Sequence, residues 1–102
     1  MPITGNITEL AEKNKRKLRE PDGYQVILLN DNYTTMDFVV VVLMEVFHKE
    51  EEEAKRIMLD VHYKGKGTVG LYSWDIAQTK VNQVHSLARK SQFPLKCIVE
   101  KV

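Results

Sequence analysis

The chain has 102 residues, 43% of them apolar, enough for one domain with a single modest core. Its 15 basic and 14 acidic side chains are interspersed and leave a net charge of +1, so no basic face points to a nucleic acid. One cysteine excludes an internal disulfide, the start MPITGNITELAEK lacks the basic opening and apolar stretch of a signal peptide, and the longest apolar run, Phe38 to Met44, falls far short of the roughly 20 residues that cross a bilayer; a cytoplasmic protein is expected.

Residues 1–23 carry five basic and four acidic side chains, few apolar ones and a Pro21-Asp22-Gly23 breaker, the composition of a mobile extension, which places the folded domain over 24–102. Tyr24 to Leu29 predicts a strand, with Val26, Ile27, Leu28 and Leu29 in succession and hence both faces covered. Asn30 to Thr35 is a polar loop. Thr34 with Asp37 resembles a capping box, and Met36, Val39 or Val40, Leu43 and Phe47 recur at helical spacing, predicting a helix from about Met36 to His48. The valine run 39–42 favours strands by propensity, but a strand leaves the cap and the spacing unexplained.

Glu50 to Glu53 open a second helix, where the helix dipole favours carboxylates, and Ala54, Ile57, Met58 and Val61 form its apolar face; the acidic run reads as a solvated helix start. Lys64-Gly65-Lys66-Gly67 ends it and leads to a strand over Thr68 to Tyr72, in which Gly70 marks a bulge or a close backbone approach. Ser73 caps a third helix, Trp74 to about Lys90, with Ala77, Val81, Val84 and Ala88 on one face. Pro94 blocks its continuation, and a last strand runs from Leu95 to Val102. The expected fold is a small single α+β domain, a three-stranded antiparallel sheet packed against three helices.

The chemistry concentrates where the first strand stops. Asn30, Asp31 and Asn32 offer oxygen acceptors, and His62, when neutral, offers a ring nitrogen; acceptors of this kind suit an ammonium group with its three donors. An α-amino group is largely charged at neutral pH, and a nearby carboxylate favours that form. Met58 and His62 lie four apart on one helical face beside Val61, so a polar tip adjoins an apolar surface. Taken alone, His62 also reads as a structural histidine near a helix end, and Met36 and Met58 as core filler.

The segments VILLNDNYTTM, DFVVVVL, AKRIMLDVHYKGKG, VGLYSWDIAQTKV and PLKCIVEK, in this order and spacing over Tyr24 to Val102, resemble the ClpS adaptor family. The resemblance implies a non-catalytic adaptor that needs no cofactor or metal. It would bind proteins by an N-terminal Leu, Phe, Tyr or Trp and hand them to the N-terminal domain of a ClpA-type AAA+ unfoldase of the Clp protease. It assigns Asn30, the acidic loop residues including Asp31 and position 32, and His62 to the α-amino group. Thr34, Met36, Val39, Met58, Val61 and Leu95 would line the side-chain pocket, with Met36 as the gate against β-branched residues. Asp75, Thr79 and Lys80 would dock the unfoldase, and the extension before Tyr24 would engage it during delivery. Two departures stand out. Asn32 replaces the family's common Asp, removing a charge near the amine, and Thr35 stands where many members have proline.

Three other functions fit parts of the sequence. Cys97 with His62 or His85 could form a nucleophile and base, although Cys97 lies in an apolar strand where a buried inert thiol is the default. His48, His62 and His85 could bind a metal only if the fold gathered them, since none pair at helical spacing. An interaction module without recognition of N-termini is the third, and it is what remains if Asn32 disables the amine site.

Overall fold

The computed structural model describes residues 23–102. The extension expected over residues 1–23 lies outside them, apart from Gly23, whose carbonyl accepts a hydrogen bond from the Val102 amide at 3.2 Å. The described chain forms strand β1 (Tyr24–Leu29), helix α1 (Met36–Glu45), helix α2 (Glu51–Lys64), strand β2 (Lys66–Tyr72), helix α3 (Trp74–Lys90) and strand β3 (Lys96–Lys101). The sheet has the order β2-β1-β3, with β1 antiparallel to both neighbours. This is the expected α+β architecture of three strands and three helices.

Burial explains why the first strand became the centre. Val26, Ile27 and Leu28 are all almost fully buried, which an edge strand does not require of three consecutive residues. Val26 and Leu28 share one core with Val39, Val42 and Leu43 of α1, Ile57 and Val61 of α2, Val84 of α3 and Cys97 of β3. The valine run is therefore helical because Val39 and Val42 point into this core, and tertiary burial outweighs their strand propensity.

Helix α1 differs from expectation at both ends. Its N-cap is Thr35, whose hydroxyl accepts from the Phe38 amide at 3.1 Å, whereas the Thr34 hydroxyl turns back to Asp31. The helix stops at Glu45 and not at His48: Val46 caps it, and His48 takes a positive φ of 57° as the Lys49 amide reaches back to the Leu43 carbonyl at 3.0 Å. The apolar spacing continues to Phe47 because Val46 and Phe47 are buried in the turn that follows.

Strand β2 starts two residues earlier than the sequence suggested, because Gly65 completes the whole change of direction. At φ 91° it is the left-handed cap of α2, its amide bonded to the Val61 carbonyl at 3.1 Å, and the chain enters the sheet at the next residue. The pairing slips where β1 passes from Val26 to Ile27: their partners are Gly70 and Thr68, which leaves Val69 as the extra residue of a bulge beside Gly70. Helix α3 begins at the Ser73 cap and ends at Lys90 as expected. Among the described residues no helix is long and apolar enough to cross a membrane.

Candidate functional site

Position 30 is tied to the end of α2, the helix that carries His62, through a backbone bond. At the end of β1 the Asn30 amide donates to the Gly65 carbonyl at 3.0 Å, which ties the loop after the central strand to the cap of α2 and so to the turn that carries His62. The glycine that lets α2 stop is thus also the residue that positions one side of the site.

The loop itself is built around Asp31. Its Oδ1 accepts from the Tyr33 and Thr34 amides at 2.8 and 2.7 Å, and its Oδ2 accepts from the Thr34 hydroxyl at 2.7 Å. Partial burial pushes this carboxyl up, but the Thr34 hydroxyl and the two amides outweigh it and hold the group below its usual range. Asp31 therefore stays ionised and shapes the loop, while the exposed Asn30, Asn32 and His62 face solvent at the rim.

Between this loop and the helices lies a cleft of about 390 Å³, within the range that holds small ligands. Its rim is the Asn30–Thr35 loop and His62; its walls are Met36 and Val39 of α1 and Met58 and Val61 of α2. Val39 and Val61 are buried, Met58 is half-buried, and Met36 stands at the mouth with 44% of its surface exposed. The structure thus gathers Asn30, Asp31, Asn32, His62, Thr34, Met36, Val39, Met58 and Val61 around one cleft.

Leu95 is separate from that cleft. It is 3% exposed, belongs to the core, and borders a different hollow of about 490 Å³ between the end of α3 and β3, because the chain turns it inward after Pro94. Sequence reasoning passed over Tyr33, which lines the cleft with 76% of its surface exposed; an aromatic side chain inside an otherwise polar loop was the available signal. The three residues assigned to docking divide. Asp75 and Thr79 are exposed one turn apart on α3, whereas Lys80 donates from Nζ to the Val46 carbonyl at 2.7 Å and holds the end of α1.

The alternative chemistries find little support in this geometry. Cys97 is almost fully buried, and burial pushes its thiol up to about 12, far from a thiolate at neutral pH. His85 Nε2 accepts from the Cys97 backbone amide at 3.1 Å, which commits the imidazole to β3. Among the described residues no group of three His, Cys, Asp or Glu side chains is placed to hold a metal ion.

Fold and cleft together describe a small α+β domain built around a polar-rimmed, apolar-walled recess, the form of a binding domain. The chain belongs to the family described as ATP-dependent Clp protease adaptor protein ClpS, whose model matches residues 19–98. It is 57% identical over 94 residues to the ATP-dependent Clp protease adapter protein ClpS of Syntrophus aciditrophicus, covering 92% of this chain and 88% of that protein. The ClpS of Acetivibrio thermocellus is 56% identical over 93 residues, covering 91% of this chain and 94% of its own. Among solved structures, Agrobacterium tumefaciens ClpS2 bound to L-phenylalaninamide superposes with a TM-score of 0.78 at 38% identity, covering 81% of this chain and 100% of that one. The chain is accordingly an adaptor of the Clp protease and not a catalyst.

Proposed function

We propose that the cleft binds the N-terminal residue of substrate proteins, accepting Leu, Phe, Tyr and Trp, and that the chain delivers those proteins in the cytoplasm to the N-terminal domain of a ClpA-type AAA+ unfoldase. The observation that carries this reading is the convergence of a ring of acceptors, Asn30, Asn32 and His62, on the mouth of an apolar cleft. L-phenylalaninamide, bound by the Agrobacterium relative, has the two matching halves: a free α-amine and a large apolar side chain. The amine donates to the rim while the side chain passes Met36 to lie against Val39, Met58 and Val61, where its burial contributes about 1.5–3 kcal/mol. Asp31 supplies negative charge beside the amine through a carboxylate already held by the loop, so its contribution is electrostatic and structural. Asp75 and Thr79 form the exposed part of the docking face, with Lys80 fixing α1 behind it.

The test is binding of a Leu-initiated peptide to the full chain beside the same peptide N-acetylated. Acetylation removes the charge and two of the three donors, so the blocked peptide binds at least tenfold more weakly, the effect of about 1.4 kcal/mol. His62→Ala narrows that gap. Equal binding of the two peptides would leave a generic interaction module as the function.

A further inference from the structure

The hollow of about 490 Å³ that Leu95 borders lies along the outer edge of β3, where the strand meets the last turns of α3, and no residue lines both it and the cleft. We propose that this hollow is a second binding site, independent of the cleft, for a small carboxylic acid with an apolar body.

Its shape follows from the turn between α3 and β3. Gln92 takes a positive φ of 62°, and the Phe93 amide reaches back to the Ala88 carbonyl at 2.9 Å, so the chain leaves the helix folded against its own last turns. Ala88, Leu95 and Cys97, all almost fully buried, close the back of the hollow, and the partly buried Phe93 and Ile98 flank it. An apolar floor in a volume of this size is what small-ligand sites present.

The polar groups decide which ligand. None of the side chains lining the hollow carries an oxygen, so it offers donors and cations alone. Arg89 and Lys96 are exposed at its rim, and neither forms an ion pair among the described residues. His85 adds a third donor. Its Nε2 accepts from the Cys97 amide, which leaves the proton of the neutral ring on Nδ1, and burial together with Arg89 and Lys96 disfavours the charged ring. Donors without an opposing carboxylate suit an anion, and a carboxylate matches the planar fork of Arg89 while its apolar body lies on the floor. The His85 bond also separates a small acid from a peptide strand. A strand added to the outer edge of β3 needs the Cys97 amide, and His85 already takes it.

The experiment titrates the full chain with octanoate below its micellar concentration, and with octylammonium and acetate as controls, following backbone amides by NMR. Octanoate shifts the amides of Ala88, Cys97 and Ile98 saturably, binds about tenfold tighter than either control, and weakens as salt is raised. Arg89→Glu and Lys96→Glu, both at exposed positions, each weaken octanoate by about three- to tenfold. A Leu-initiated peptide binds Arg89→Glu as it binds the native chain, and equally well with octanoate present. Octylammonium binding as tightly as octanoate would reduce the effect to unspecific apolar association. Shifts confined to the Asn30–Thr35 loop and His62 would put the acid in the cleft, an affinity indifferent to both charge reversals would remove the cations from the site, and a response to the C-terminal carboxylate of a peptide but not to octanoate would assign the hollow to protein ends. Each of these results overturns the proposal.

Discussion

Met36 opens α1 at the mouth of the cleft, whereas Val39 and Val61 are buried in its walls. A flexible side chain at an entrance sets which shapes pass without holding the fold together. Met36→Ala should therefore admit peptides that begin with Val or Ile while lowering stability by under about 1 kcal/mol, measured by peptide binding and thermal unfolding. Equal, large losses for every ligand with a lowered Tm would make Met36 a core residue. At this scale the sequence was informative for a physical reason. Polar groups crowded at the end of an apolar strand have no fold-stabilising use in common, so Asn30, Asp31 and Asn32 stood out, whereas His62, which alone reads equally as a structural histidine, joined them only through the family resemblance. What the sequence concealed was the use of each group. Nothing local distinguishes Thr34, which braces Asp31, from Thr35, which caps the helix, and nothing told that Lys80 would bend inward to a carbonyl of α1.

Between elements, the contact that couples fold to site is that of β2 with α2. A Cβ on Gly67 would lie 2.8 Å from Val61 Cγ2 and 3.1 Å from the Ile57 carbonyl, so only a bare backbone fits. Gly67→Ala should cost about 1–3 kcal/mol in denaturant unfolding and also weaken peptide binding, because the residue it displaces is a wall of the cleft. A stable variant that binds normally would show that α2 can shift without cost. Between α3 and β3 the joint is His85. Burial holds its imidazole below the ordinary 6.5, with Arg89 and Lys96 adding to the effect, and the Cys97 amide needs a lone pair to donate to. Protonation is thus disfavoured in the folded state. Its contribution to stability is complete above pH 6.5 and is lost as pH falls through the lower folded value. The Tm of the native chain should drop on acidification below 6.5 more than that of His85→Gln. Element types were legible because each has its own period and cap. The ends of α1 and the start of β2 were not, since buried Val46 and Phe47 prolong a helical pattern through a turn, and one left-handed glycine did the work of an expected linker.

For the whole molecule, every residue of the cleft lies between Asn30 and His62, and the described fold closes on itself where Val102 bonds to Gly23. A chain beginning at Gly23 should bind a Leu-initiated peptide as tightly as the full chain, and the degradation of a Leu-initiated protein by the unfoldase and protease should fall when residues 1–22 are missing. Peptide affinity and turnover of the reporter by the protease measure the two separately. Loss of affinity on truncation would place part of the binding site before Gly23. Composition, polar and breaker-rich before the first strand and apolar within it, drew the domain boundary, while a role of the preceding residues in delivery came from the family resemblance alone.

The bond from the Asn30 amide to the Gly65 carbonyl also fixes when the work of ordering the site is done. Asn30 follows a strand paired on both sides, and its own amide is committed to the cap of a helix, so this half of the rim is rigid before any ligand arrives. Its amide proton should exchange with deuterium about as slowly as those inside β1, and no faster when the cleft is empty than when it is filled. The entropy of joining these two segments is lost during folding, so a ligand of the proposed kind would meet this part of the rim already ordered.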